Sequence, residues 1–369
     1  MIRLPDFPWD SLAEVKALAT AHADGIVDLS VGTPVDPTPD VVQDALREHA
    51  NAPGYPTTAG LPELTRAVRG WLSRRGLASG TALGNSSGTA LEVGVLPTIG
   101  SKEMVAWLPT GLGLGREDTV VIPAIGYPTY EIGAMVAGAQ VVATDDVESV
   151  ARPAMVWLNT PSNPTGAVLD LERMSAIVRW AQGQAIPLVS DECYIELGWD
   201  TQPTSILDPR VNGGDLRGLL AVHSLSKRSS MAGYRFGFVA GDPAMVDDLL
   251  AVRKHLGMMV PAPVQHAAIA AYDDDTHVAV QRDRYQARRE LLMGALVAAG
   301  FRIDHSEAGL YLWVTSNDNS GDAWSNTRWF AERGILVAPG TFYGDDSHVR
   351  VALTATDERV AAAARRLAP

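Results

Sequence analysis

Short apolar runs rich in valine and isoleucine recur through the middle of the chain: Thr119 to Ile122, Gln140 to Ala143, Ala154 to Leu158, Pro187 to Ser190, Leu219 to Val222 and Phe236 to Ala240. Brief runs of this kind, apolar throughout rather than alternating, read as strands buried on both faces. Helix-length segments separate several of them, such as Leu171 to Gln182, where Asp170 is placed to cap the first turn and Glu172 complements its dipole. The alternation predicts an α/β fold with a mostly parallel sheet covered by helices, and a site at the carboxyl ends of the strands. After Gly241 the pattern turns helical over Pro243 to Leu256, Val264 to Tyr272 and Gln281 to Ala299. Strand-like Gly309 to Thr315, helix-like Ala323 to Arg333, strand-like Ile335 to Ala338 and His348 to Leu353, and a final alanine-rich helix follow. We therefore expect a large domain over 41–250 and a smaller α+β domain over 251–369. An N-terminal segment, 1–40, with a helix near Asp10 to Ala23, is expected to pack on the smaller one.

Composition narrows the function. With 46% hydrophobic and 20% charged residues, the 369-residue chain is that of an ordinary globular protein. A net charge of −13 argues against nucleic acid and anionic lipid as main partners and leaves a small-molecule substrate. The one cysteine, Cys193, allows no internal disulfide and no metal cluster. Residues 1–10 have no apolar signal core, and no run approaches the ~18 apolar residues of a membrane span. A cytoplasmic protein without a metal is the expectation.

The densest chemistry lies just after the run Leu219 to Val222, in Ser224-Leu-Ser-Lys227-Arg-Ser-Ser-Met-Ala-Gly-Tyr-Arg235. A lysine bonds covalently to a carbonyl only as the free amine, so it needs desolvation or a neighbouring positive charge. Arg235 could supply that charge while holding a phosphate. A solvated serine-rich turn is the plainer alternative. Four more segments end strand-like runs with polar groups. In Asn159-Thr-Pro-Ser-Asn163-Pro-Thr-Gly166 two prolines and a glycine make a turn that presents Asn163. Asp191 closes a buried run and needs a partner, which a protonated ring nitrogen or a helix N-terminus would satisfy; Tyr194 follows three residues on. Gly100-Ser101-Lys102 precedes a predicted short helix, Met104 to Leu108, whose start suits phosphate. Tyr127 sits in a turn after Ile122, placed to stack on a flat ring or to pack. Arg350, in Val349-Arg-Val-Ala-Leu353, needs a carboxylate, either from a substrate or from a protein acid. Gly111-Leu-Gly-Leu-Gly115 precedes a strand and so reads as a loop rather than a dinucleotide fingerprint. Cys193 and His223 read as packing residues.

Taken in order, Tyr55, Gly100-Ser101, Tyr127, Asn163-Pro-Thr-Gly166, Asp191 with Tyr194, Ser224 with Lys227, Arg235 and Arg350 resemble the class I/II aminotransferases of fold type I, which use pyridoxal 5′-phosphate. The resemblance covers nearly the whole chain. It implies that Lys227 holds the cofactor covalently and moves the substrate Cα proton, and that Asp191 keeps the ring nitrogen protonated. It further implies that Asn163 and Tyr194 bond the ring oxygen, and that Tyr127 stacks on the ring. Ser101, the Lys102 amide, Ser224 and Arg235 would hold the phosphate. Arg350 would clamp the substrate carboxylate beside the Gly32 backbone, with Asn163 close to the substrate. Tyr55 would reach a second subunit's phosphate, making a homodimer with shared active sites. The wording around Lys227 and Asn163 is most similar to actinobacterial N-succinyldiaminopimelate aminotransferases. That implies glutamate as donor, N-succinyl-2-amino-6-ketopimelate as acceptor in a ping-pong cycle, and a second cation near the site, with Lys102, Arg228 and Arg328 as candidates. A cysteine-conjugate β-lyase or another transaminase shares these residues. A regulator's sensing module would add a basic DNA-binding segment that this acidic chain lacks.

Overall fold

In the computed structural model, which describes residues 4–77, 92–317 and 321–368, two sheets organise the chain. The strands, in chain order, are β1 (Val27–Asp28), β2 (Gly94–Thr98), β3 (Thr119–Ile122), β4 (Gln140–Ala143), β5 (Met155–Asn159), β6 (Leu188–Asp191), β7 (Leu219–Ser224), β8 (Gly237–Gly241), β9 (Phe301–His305), β10 (Tyr311–Ser316), β11 (Ile335–Leu336), β12 (Ala338–Pro339) and β13 (Val349–Ala352). Seven of them form one sheet in the order β2-β8-β7-β6-β5-β3-β4. Only β8 runs against its neighbours, β2 and β7. The six strand-like runs of the sequence all lie in this sheet. The seventh strand, β2, escapes the pattern because Gly94 and Pro97 interrupt it, and Pro97 suits an edge strand.

Both faces of the sheet are buried, as uninterrupted apolar strands require, except at the edge strand β4, where Gln140, Val142 and Ala143 are exposed because no further strand pairs beyond it. On one side Val156, Leu158, Leu188 and Ala221 pack under the helix Pro62–Arg74, which buries Leu64, Ala67, Val68, Trp71 and Leu72 at helical spacing. On the other, Val120, Trp157, Val189 and Leu220 meet the helix Ser101–Gly111 through Met104, Val105 and Leu108. That helix starts three residues earlier than expected, at Ser101, with Gly100 before it at φ +73°.

The second sheet, β12-β13-β10-β9, is antiparallel and backed by the helices Thr276–Ala298 and Asp357–Leu367. The expected single strand over Ile335 to Ala338 is two. Its first half, β11, runs parallel to β1, and its second half, β12, pairs with β13. The helix Ala13–Thr20, preceded by a 3-10 turn at Pro8–Leu12, packs through Leu12, Val15 and Ala19 on Ala331 and Leu336.

Candidate active site

Several chain segments converge where β3, β5, β6 and β7 end. Because β8 is reversed, its start lies at the same edge, which brings the preceding Arg235 alongside. A cavity of about 660 Å³ opens there. Ser101 and Lys102 line it from the start of their helix, Tyr127 from the turn after β3, and Asn163 from the turn after β5. Asp191 and Tyr194 enter from the end of β6, Ser224 and Lys227 from the end of β7, and Arg235 from before β8. Gly32 and Arg350, from the N-terminal segment and β13, complete the lining. Tyr55 does not: it is 96% exposed, apart from the cavity of its own subunit.

At one end the groups make an anion seat. Ser224 Oγ accepts from Ser226 N at 3.1 Å and donates to Ser226 Oγ at 2.9 Å. Arg235 is held at φ +55°, its Nη1 donating to the Ala232 carbonyl at 2.8 Å. Gly100 lies so close beneath it that a Cβ there would collide with the guanidinium. The free amide N–H groups at the start of the Ser101 helix complete the seat.

Lys227 lies beyond, its Nζ donating to the Gly32 carbonyl. Burial lowers its pKa; Tyr311 opposes this, while Arg350 and Arg235 reinforce it. These are the two influences that favour a free amine. Asp191 is 7% exposed, and its carboxylate accepts from Tyr130 Oη at 2.9 Å and Cys193 N at 3.2 Å. Burial raises its pKa against those hydrogen bonds. It caps no helix, so the alternative raised for it in sequence fails. Burial also pushes Tyr127 up to about 12, leaving the phenol neutral.

Arg350 is 3% exposed, with Nη1 donating to Asn163 Oδ1 at 2.8 Å and Nη2 to the Ser30 carbonyl at 2.6 Å. Its guanidinium stands 4.1 Å from the Tyr311 ring centre, and its buried Nε has no hydrogen-bond partner. Among the described residues no acid pairs with it, so the alternative of a protein aspartate fails. Of the three candidate second cations only Lys102 lines the cavity, its Nζ 5.8 Å from the ring centres of Phe7 and Tyr127. Arg228 is buried against Glu196 behind the site, and Arg328 pairs with Glu332 at the surface.

Sequence reasoning missed Phe7, Trp9, Ser226 and Tyr311, which also line the cavity, and Tyr130, the Asp191 donor. Tyr311 alone carried a signal, as a polar-tipped aromatic in a strand whose other central residues are Leu312, Trp313 and Val314.

Residues 24–367 match the family described as aminotransferase class I and II. A probable aminotransferase of Mycobacterium tuberculosis is 56% identical, over 99% of this chain and 85% of its own. The 4-dedimethylamino-4-oxo-anhydrotetracycline transaminase OxyQ of Streptomyces rimosus is 52% identical over the whole of both chains. Among solved structures, a probable N-succinyldiaminopimelate aminotransferase of Thermus thermophilus superposes with a TM-score of 0.83 at 26% identity, over 98% of this chain and 99% of that one. The chain belongs to the class I and II aminotransferases. It is a transaminase that depends on pyridoxal 5′-phosphate. The cavity fits that cofactor: a helix start beside Arg235, a buried acid with acceptor capacity to spare, and a buried lysine are the groups it requires.

Proposed function

We propose that this transaminase moves an amino group from L-glutamate to a large, acidic 2-oxo acid, N-succinyl-2-amino-6-ketopimelate, in lysine and diaminopimelate biosynthesis. The observation that carries the reading is Arg350, a buried cation facing the cavity with neutral acceptors only. Its planar fork suits the α-carboxylate that donor and acceptor share. Lys102 supports the acidic acceptor, since no carboxylate among the described residues pairs with it. The Thermus protein's name agrees with this substrate.

In this reading Ser101, the Lys102 amide, Ser224 and Arg235 hold the phosphate, and Lys227 bonds the cofactor. Asp191 holds the proton on the ring nitrogen, Asn163 and Tyr194 donate to the ring oxygen, and Tyr127 covers the ring face. The bound cofactor supplies a ring that withdraws electrons from the substrate Cα. Lys227 Nζ, its pKa lowered by burial, takes the Cα proton once the substrate amine has freed it from the cofactor. Arg350 fixes the carboxylate, and Gly32 leaves room for the substrate backbone. Tyr55, on the surface of its own subunit, reaches the phosphate of a second one, so the working unit is a homodimer.

A second reading rests on the aromatic wall of the cavity, Phe7, Trp9, Tyr127 and Tyr311. It suits a polycyclic ketone, such as the one named for the Streptomyces relative. Single-turnover spectroscopy separates the two. Loaded enzyme should convert to its amine form with L-glutamate and return with N-succinyl-2-amino-6-ketopimelate. Return only with a tetracycline-type ketone would establish the second reading. Pyruvate release from L-cystathionine without the glutamate step would mean a lyase and overturn both.

A further inference from the structure

The Tyr311 side chain touches three elements of the site at once. Its hydroxyl lies 3.1 Å from the Tyr194 hydroxyl. The same oxygen abuts Gly32 so closely that a Cβ there would overlap it. The face of its ring carries the Arg350 guanidinium at 4.1 Å. Tyr311 belongs to β10 in the smaller sheet, Tyr194 follows β6 in the larger one, and Gly32 lies in the N-terminal segment.

We propose that Tyr311 is a positioning residue with two separable functions: its hydroxyl orients and strengthens Tyr194 as a hydrogen-bond donor, and its ring holds Arg350 flat for the carboxylate. This rests on the placing of Tyr194 at the cofactor oxygen given above. A phenol has one proton. With the Tyr194 proton committed to the cofactor, Tyr311 must be the donor in the pair, and donation into the Tyr194 oxygen polarises the bond that Tyr194 makes. The titratable and charged groups that act on the two hydroxyls are Lys227, Cys193, Tyr127 and Tyr130 from the larger domain and Arg350, Tyr343 and Tyr285 from the smaller. Burial and Tyr311 itself hold Tyr194 protonated well above the ordinary phenol range, so this donor persists at neutral pH.

Removing the Tyr311 hydroxyl weakens donation from Tyr194 and leaves more negative charge on the acceptor beside Lys227. The proton on the Lys227 nitrogen of the loaded enzyme then leaves at higher pH. The test is the pH midpoint of the visible band of purified holoenzyme, with kcat and KM for L-glutamate alongside. Tyr311→Phe should raise the midpoint by about half a unit to one unit and lower kcat about threefold to tenfold, with KM within about twofold, because the ring over Arg350 stays. Tyr311→Leu should raise the midpoint equally and also raise KM about tenfold. Tyr194→Phe should raise the midpoint further, and adding Tyr311→Phe to it should change nothing more. If Tyr194→Phe moves the midpoint and Tyr311→Phe does not, this inference falls and the placing of Tyr194 stands. If Tyr194→Phe leaves the midpoint unchanged, both fall.

Discussion

Two arginines of this protein are buried to almost the same degree, Arg350 at 3% and Arg228 at 4% exposure, but only Arg350 lines the cavity that holds Lys227. Arg228 meets the carboxylate of Glu196, lies 3.7 Å from Asp275, and covers the ring of Tyr272. Arg350 meets an amide oxygen, a peptide carbonyl and aromatic faces. A buried charge with its own counter-ion is a structural part of the fold, whereas one held only by neutral acceptors has affinity to spare for an anion from solution. The contrast sets Arg228, though next to Lys227 in sequence, apart from the cations that face the cavity.

The largest effect should follow from Arg350→Ala. Losing two charge-assisted hydrogen bonds should lower kcat/KM for L-glutamate about a thousandfold, while the thermal midpoint stays or rises because no counter-ion is left behind. Steady-state kinetics and calorimetry on one preparation check both halves; a large loss of stability would place Arg350 with Arg228. Glu196→Ala should do the reverse. It leaves Arg228 with only the more distant Asp275 and removes the carboxylate that Arg75 shares, and should cost about 3–5 kcal/mol in urea unfolding with activity per folded molecule nearly unchanged. Unaltered stability would remove the distinction.

The smallest effect sharpens the comparison at a buried pair with little charge. Glu192 and His223 lie 3.5 Å apart, and burial pushes the acid up to about 7 and the imidazole down to about 3. Between those values neither side chain is fully ionised. The folded protein keeps the Glu192 proton above its ordinary 4.5, so this group's contribution to stability is present below that pH and lost as pH rises through 7. His223 works oppositely, since its contribution is present above its ordinary 6.5 and lost as pH falls towards 3. In Glu192→Gln only the histidine contribution remains. The stability of wild type relative to this variant should therefore fall from pH 4.5 to 7 and then level off, measured by urea unfolding across that range. A flat difference would mean that Glu192 titrates normally.

The larger sheet was legible because each of its six predicted strands is a compact apolar run, and the polar residues that close those runs fall together when parallel strands end at one edge. Arg350 announced itself by chemistry, a cation where strand packing offers none. What escaped depends on contacts between distant parts of the chain. Tyr311 meets Tyr194 across 117 positions, and Phe7 and Trp9 line the cavity only because the first helix docks beside β11. Nothing local to Arg228 marks Glu196 as its partner, so its candidacy as a substrate cation could fail only in three dimensions.

The Ser30 carbonyl bond to Arg350 ties residues near one end of the chain to residues near the other. A chain leaving the ribosome N-terminus first has Ser30 and Gly32 early, Lys227 much later and Arg350 nearly last. The clamp proposed for the substrate carboxylate therefore closes only when synthesis is almost complete. A premature stop between Arg235 and Arg350 leaves a chain that retains Lys227 and Arg235 yet lacks the cation proposed to meet the substrate carboxylate.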